Sequence, residues 1–167
     1  MPKKSKFSDF LNNIKTYKEK TTVLFFKGGT SISTESEEVF CLDWTIPKWK
    51  ASKIEFDKFK FKIELKVLEN IFKNTQYLSP LTIDIWTKLQ NSTSYKVSSL
   101  EKVEKITKKN NKDLDSLLNA IENKESIEAP IIIKWDENEY ELVCGNTRLM
   151  IASALGTIPA VMILEIF

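Results

Sequence analysis

The chain has 167 residues, 42% of them hydrophobic, and a net charge of +2, so it can form one domain with a real core or a small domain with an extension. It contains no histidine and two cysteines, Cys41 and Cys144, which excludes Ser-His-Asp and Cys-His catalysis and disfavours a structural zinc site. No apolar run is long enough to span a membrane and no signal peptide is evident, so we expect a cytoplasmic protein with reduced thiols.

The charge of the chain changes sign along its length. Residues 1–112 are rich in lysine, whereas residues 113–167 carry three basic and ten acidic residues and a net charge of −7. Bare nucleic acid would be repelled by this last third, so residues 1–112 are the better candidate for binding DNA or RNA. The alternative is that their lysines only solvate helix faces.

Residues 1–95 contain short predicted elements of both kinds. Apolar side chains at helical spacing predict an amphipathic helix over 7–17, and residues 23–26 form an apolar run typical of a buried strand. The Gly-Gly-Thr sequence at 28–30 then predicts a turn before a polar loop over 31–38. A phosphate-binding role for the two glycines is the weaker alternative, because the spacing of a P-loop is missing.

The next segment mixes aromatic and basic residues. Trp44 and Trp49 lie among lysines, a pattern that fits either the stacking of single-stranded bases or core packing. Residues 56–73 show some strand-like alternation, but their length and apolar spacing favour a helix. The Ser-Pro pair at 79–80 has the residue types of an N-cap and a first helical position, so we expect a helix from there to Leu89.

Two further helices are predicted before the last strands. Ser98 to Glu101 form a capping box followed by an apolar face, and Asp113 begins a second helix with apolar residues at i, i+3, i+4 and i+7. The polar break between them suits a helix-turn-helix arrangement. However, the second helix carries acidic residues where a DNA-recognition helix needs donors, so both helices are assigned to the scaffold.

The clearest pattern is at the C-terminal end. A β-branched strand, a hairpin turn, a second strand, a glycine turn, a short helix, a glycine C-cap and a closing strand follow one another there. Their predicted positions are 131–135, 136–138, 139–144, Gly145, 147–155, Gly156 and 158–164. This succession of strands and a helix predicts an α+β fold.

Arg148 is the only arginine among the 25 basic residues, and it follows the Gly145 turn at the start of the predicted helix. A guanidinium grips phosphate with two hydrogen bonds, and the free N–H groups of a helix N-terminus also attract an anion. Asn146 and Thr147 are small side chains that add hydrogen-bond donors. The turn therefore predicts a phosphate-binding site, with the alternative that an AT-rich genome has left Arg148 as an ordinary surface residue.

The segment from 113 to 166 resembles the ParB/sulfiredoxin-like superfamily. The motifs that carry the resemblance are the Ala-Pro-Ile-Ile-Ile strand at 129–133, the Tyr-x-Leu-Val-x-Gly-x-x-Arg-Leu run at 140–149, and the Ala-rich helix with Gly-Thr-Ile-Pro-Ala at 152–160. The resemblance implies a small mixed sheet with helices over residues 96–167. Residues 1–95 carry no such resemblance, and we expect them to form an N-terminal α/β extension packed on that domain. The composition also suits a bacteriophage protein that acts in the host cytoplasm.

The resemblance implies a nucleoside triphosphate at Gly145 and Arg148, the two positions of the family's phosphate-binding motif that this chain retains. Mg²⁺ would accompany the triphosphate, and Glu128 and Glu141 are the nearest acidic residues in sequence that could contact a metal or a water. Catalytic residues of the family's subfamilies are missing, since Asn146 stands in the place of the sulfiredoxin cysteine. We therefore expect at most slow nucleotide hydrolysis or phosphoryl transfer.

Two other functions remain open from the sequence. The basic residues 1–112 suit a DNA-binding, RNA-binding or nuclease-like protein, although no carboxylate pair for a two-metal nuclease is evident. The third hypothesis is a scaffold that has lost its ligand, in which Arg148 pairs with Glu128 or Glu141. We expect a nucleotide as the first partner, a homodimer as a further assembly, and no membrane contact.

Overall fold

The computed structural model of the chain describes residues 24–27, 40–109 and 114–166. Within these ranges six α-helices and seven strands form, which confirms the α+β class. In chain order they are β1 Leu24–Lys27, β2 Phe40–Thr45, α1 Trp49–Phe56, α2 Leu65–Asn74, β3 Ser79–Pro80, α3 Ile83–Trp86, α4 Leu100–Lys109, α5 Leu114–Glu122, β4 Ile127–Glu128, β5 Ile131–Asp136, β6 Glu139–Cys144, α6 Asn146–Leu155 and β7 Ala160–Glu165. The helix predicted over 7–17, the turn at 28–30 and the loop over 31–38 lie outside the described residues.

The described strands form two small sheets. The first has the order β1-β2-β4 and is parallel throughout. The second has the order β3-β7-β5-β6, in which β5 pairs antiparallel with β6 and parallel with β7. A parallel pair needs a crossover connection, and α6 supplies it between the β5–β6 hairpin and β7.

The hydrophobic core lies on both faces of β5. Ile131, Ile132 and Ile133 are all 0% exposed. Ile132 packs into a first cluster with α4, α5 and α6, while the other two pack into a second cluster with α1 and α2. Full burial of one such side chain contributes about 1.5–3 kcal/mol, so β5 anchors the fold. Leu42 and Trp44 of β2 belong to the first cluster, so this part of the chain shares the core of the C-terminal elements.

Both tryptophans of the lysine-rich segment pack against apolar neighbours. Trp44 is 3% exposed in β2. Trp49 stacks on Phe56 with ring centroids 4.9 Å apart, and it lies 5.4 Å from the ring of Phe72. These contacts favour core packing over base stacking for the two indoles.

The helix predicted over 56–73 is only partly correct. α1 ends at Phe56, a 3₁₀ turn follows at Asp57–Phe59, and α2 begins only at Leu65. Phe59 is buried, and its ring centroid lies 6.1 Å from that of Trp135 in β5. Tertiary packing against the sheet therefore overrides the helical pattern of the local sequence.

The helix start predicted at 79–80 is wrong. These two residues form β3, and the next amide, that of Leu81, donates to the Pro159 oxygen at 2.8 Å. The fixed φ of proline suits an edge strand as well as a first helical turn, and pairing with β7 decides between them. The helix begins later, where Thr82 Oγ1 accepts from the Ile85 amide at 3.4 Å.

The N-cap predicted for α4 is displaced by one residue. Ser99, rather than Ser98, caps the helix, and its Oγ accepts from the Lys102 amide at 3.3 Å. The C-terminal succession is confirmed, from the β5–β6 hairpin through α6 to β7. No helix of the described residues is long and apolar enough to cross a lipid bilayer.

Candidate functional site

The turn between β6 and α6 depends on a glycine at position 145. Gly145 has a φ of 101°, in the left-handed region that other residues rarely adopt. A Cβ at this position would also lie 2.6 Å from the Pro130 Cβ. Backbone conformation and close packing therefore both require glycine, which fixes where the strand ends and the helix begins.

The first turn of α6 presents unpaired amide groups. No side chain caps this helix, and its first intrahelical bond runs from the Leu149 amide to the Gly145 oxygen at 3.0 Å. The amides of Asn146, Thr147 and Arg148 consequently have no acceptor among the described residues. These three N–H groups carry the positive end of the helix dipole.

The helix start opens onto a cleft of about 610 Å³. The whole turn from Gly145 to Arg148 lines it, together with the end of β6 and polar residues of other elements. Those polar residues are Glu55 of α1, Lys58 of the following 3₁₀ turn, Asn91 of the loop between α3 and α4, and Ser116 of α5. Several distant segments thus meet around the predicted phosphate site.

Arg148 is half-buried at the side of this cleft. Its Nη1 donates to the main-chain oxygen of Glu128. No carboxylate within the described ranges forms an ion pair with Arg148. A guanidinium has five N–H donors, and among the described residues only the Glu128 oxygen and the neighbouring Cys144 thiol engage any of them, so several donors and the positive charge remain for a ligand.

The Cys144 thiol lies beside Arg148 in the cleft. Burial raises the pKa of this thiol, and the neighbouring Arg148 charge only partly opposes the effect. The thiol is therefore protonated and neutral near pH 7, and it is a poor nucleophile there. Because the thiol is neutral, Cys144 adds no negative charge beside the turn that would repel an anion.

The two acidic residues predicted to assist the site do not bring carboxylates to it. Glu128 contributes its main-chain oxygen to Arg148. The Glu141 carboxylate accepts from Trp135 Nε1 at 2.9 Å and from Lys62 Nζ at 3.2 Å, and Glu141 does not line the cleft. The four turn residues are therefore brought together, while Glu141 is held apart from them.

Glu55 is the acidic side chain that lines the cleft, and sequence patterns did not indicate it. It forms an ion pair with Lys58, so the rim of the cleft carries a paired positive and negative charge. No group of three or more Cys, Asp or Glu side chains that could hold a metal ion occurs in the part of the chain that the structure describes. A metal at this cleft would thus be held by ligand oxygens and few protein groups.

The exposed Asn146 side chain is tied to the core by hydroxyl groups that sequence patterns did not indicate either. Ser92 Oγ donates to Asn146 Oδ1 at 2.7 Å, and Ser92 and Ser94 are hydrogen-bonded at 2.9 Å. The Asn91 amide pairs with both the N–H and the C=O of Leu142, at 2.8 Å each. The loop that contains Asn91, Ser92 and Ser94 therefore covers the edge of β6 and supports one wall of the cleft.

These elements define an α+β protein with an open cleft built around a glycine-initiated helix. No protein-family model matches the chain, and no characterised protein or solved structure matches it either. The resemblance to the ParB/sulfiredoxin-like superfamily therefore stays a prediction.

Proposed function

We propose that the chain binds a nucleoside triphosphate by its phosphates at the Gly145–Arg148 turn. The same proposal assigns residues 113–166 to the ParB/sulfiredoxin-like fold, because a hairpin, a glycine turn, a helix and a closing strand follow in the order of that family. The finding that carries the proposal is the combination of unpaired amides and an unneutralised Arg148 at one cleft.

Physical magnitudes favour an anion at this position. A negative group at a helix N-terminus is stabilised by about 0.3–1 kcal/mol, and by up to about 2 kcal/mol when it is partly buried. Hydrogen bonds to a charged group add about 1.5–3 kcal/mol each. Micromolar affinity corresponds to about 8 kcal/mol of binding free energy, so the three amides and the free donors of Arg148 would have to act together to reach it.

The size and charge of the cleft suit a nucleotide that carries Mg²⁺. Its volume of about 610 Å³ lies within the usual range for small-molecule sites, roughly 300–1,000 Å³. Residues 113–167 carry a net charge of −7, so a divalent cation would reduce the repulsion of a triphosphate. Glu55 is the carboxylate that could contact such an ion or orient a water for slow hydrolysis.

Calorimetric titration with ATP, GTP and CTP, each with and without Mg²⁺, tests the proposal. Arg148→Ala is expected to weaken binding at least about tenfold, and Arg148→Lys should weaken it less because the charge is kept. Lys66→Ala, an exposed change on α2, is the matched loss of one positive charge elsewhere. Absence of binding by the wild type, or equal affinity for the Arg148 and Lys66 variants, would refute nucleotide binding at this turn.

A second candidate function is the binding of single-stranded nucleic acid, and Phe61 favours it. The ring is 91% exposed in the lysine-rich segment between α1 and α2, with Lys60 Nζ 5.5 Å from its centroid. Exposed aromatic rings beside basic residues are used to stack unpaired bases. Anisotropy of a labelled oligonucleotide should then fall steeply with salt and be reduced by Phe61→Ala. No binding at low salt would remove this candidate.

The scaffold hypothesis, in which Arg148 pairs with Glu128 or Glu141, retains one supporting contact, that from Arg148 to the main-chain oxygen of Glu128. If that contact is the whole role of the arginine, Arg148→Ala lowers the free energy of unfolding and no nucleotide binds the wild type. A loss of stability in Arg148→Ala is expected under both hypotheses, so titration of the wild type with nucleotide is the measurement that separates the scaffold from the nucleotide-binding protein.

A further inference from the structure

A chain of hydrogen bonds connects the core to the Asn146 side chain. The Trp86 indole N–H donates to Ser94 Oγ at 2.8 Å, Ser94 Oγ lies 2.9 Å from Ser92 Oγ, and Ser92 Oγ lies 2.7 Å from Asn146 Oδ1. The first three residues are buried, with exposed fractions of 6%, 2% and 7%. Asn146 is exposed and lines the cleft, so the chain of bonds runs from the first core cluster to the site.

The direction of the protons along this chain follows from its inner end. An indole nitrogen can only donate, so Ser94 Oγ accepts from Trp86 and its own hydroxyl is free to donate to Ser92 Oγ. Ser92 Oγ also accepts from the Ser94 amide at 3.3 Å, which leaves its hydroxyl proton for Asn146 Oδ1. The opposite direction would leave the Ser94 hydroxyl proton without an acceptor inside the core.

We propose that this relay locks the Asn146 amide with its oxygen toward Ser92 and its NH₂ group free as a donor at the cleft. No described residue accepts from Asn146 Nδ2. Asn146 is then a specificity-determining residue that accepts only ligands with a hydrogen-bond acceptor at this point, such as an ionised phosphoryl oxygen. Ser92 and Ser94 are positioning residues, and the inference rests on the proposed nucleotide binding.

The relay matters because the side-chain amide of an asparagine can otherwise rotate by 180° and exchange the positions of its oxygen and its NH₂ group. If both orientations of the amide were equally available, an exposed Asn146 would present its oxygen to the cleft as readily as its NH₂ group. It would then not discriminate between hydrogen-bond donors and acceptors on a ligand. A buried hydroxyl with a fixed proton removes that choice before the ligand arrives. The cleft therefore presents donors from the first α6 amides, Arg148 and Asn146 on one side.

The orientation can be measured without any ligand. The order parameter of the Asn146 side-chain amide is measured by ¹⁵N relaxation of the full chain. We expect it to be that of a rigid group in the wild type and to fall below about 0.6 in Ser92→Ala. Ser94→Ala removes the hydroxyl that fixes the direction of the Ser92 proton but leaves the Ser92–Asn146 contact, so it should lower the order parameter less, and it serves if Ser92→Ala does not fold. Thr107→Val removes another buried hydroxyl, bonded to Val103 O at 2.9 Å, and should leave Asn146 rigid. An unchanged Asn146 amide in both serine variants would overturn the inference.

Titration with Mg·ATP tests the effect on binding. Ser92→Ala and Asn146→Ala should each weaken binding roughly threefold to tenfold. The affinity of the double variant should be no lower than that of whichever single variant binds less tightly. Asn146→Asp, which replaces the donor by a negative acceptor, should weaken binding at least about tenfold, whereas Thr107→Val should not change it. Additive losses in the double variant would overturn the relay. No binding by the wild type would instead refute the proposed function, while the relaxation result still decides the orientation.

Discussion

Arg148 donates from Nη1 to the main-chain oxygen of Glu128, 20 residues earlier in the chain. The bond joins the first turn of α6 to β4, and so connects the helix at the cleft to the parallel sheet. A carbonyl oxygen has no net charge, so the contact orients the guanidinium without neutralising it. One side chain therefore supports the fold and supplies the proposed anion site with its charge.

The first prediction concerns the stability that this contact provides. Arg148→Ala leaves the half-buried Glu128 oxygen without its donor, so the free energy of unfolding should fall by about 1–2 kcal/mol without ligand. Arg148→Lys keeps one donor and should lose less. Urea denaturation followed by circular dichroism measures both. Equal stability of the wild type and the alanine variant would show that the contact contributes nothing net.

The second prediction compares the two glycines at the ends of α6. Gly145→Ala combines a strained φ of 101° with a Cβ 2.6 Å from the Pro130 Cβ, so we expect a loss of about 2–4 kcal/mol. Gly156→Ala has a similar φ of 75° but meets no atom within 4 Å, so it should lose only about 1–2 kcal/mol. Midpoints of urea denaturation provide the comparison. Equal losses would mean that the contact with Pro130 relaxes freely.

The elements around α6 could be predicted because their signals are local. Gly145 and Gly156 mark both ends of the helix, and the β-branched run of β5 stands next to its hairpin turn. In each case the residues that determine the structure are neighbours in sequence. The position of Arg148 at a helix start followed from the same local pattern.

The rest of the cleft could not be predicted, because tertiary packing brings it together. Glu55 reaches the cleft only because α1 packs beside β6, and Ser92 reaches Asn146 only because its loop covers the edge of that strand. Neither distance in sequence nor residue type reveals these contacts. Glu141 is the converse case, since Trp135 and Lys62 engage its carboxylate away from the turn.

The third prediction concerns the two buried indole N–H groups. Trp44 Nε1 has no hydrogen-bond partner in the described part of the chain, whereas Trp86 Nε1 donates to Ser94. Replacement by phenylalanine removes a similar volume at both positions. Trp86→Phe also removes a hydrogen bond, so it should be less stable than Trp44→Phe by about 1–3 kcal/mol. Chemical denaturation of the two variants decides, and the reverse order would mean that Trp44 Nε1 is satisfied in solution, for instance by a water.

The fourth prediction concerns alkaline pH and Cys144. Burial raises the pKa of this thiol in the folded protein above that of the unfolded chain, so above the unfolded pKa of about 8.5 the folded state holds more protons. Stability is then highest below that pH and falls as pH rises toward the folded pKa. The free energy of unfolding should therefore decline more steeply between pH 8 and 10 in the wild type than in Cys144→Ala. If the free energy of unfolding declined equally with pH in the two proteins, the pKa of the folded thiol would not be raised. Rapid alkylation of Cys144 near pH 7 would support the same conclusion.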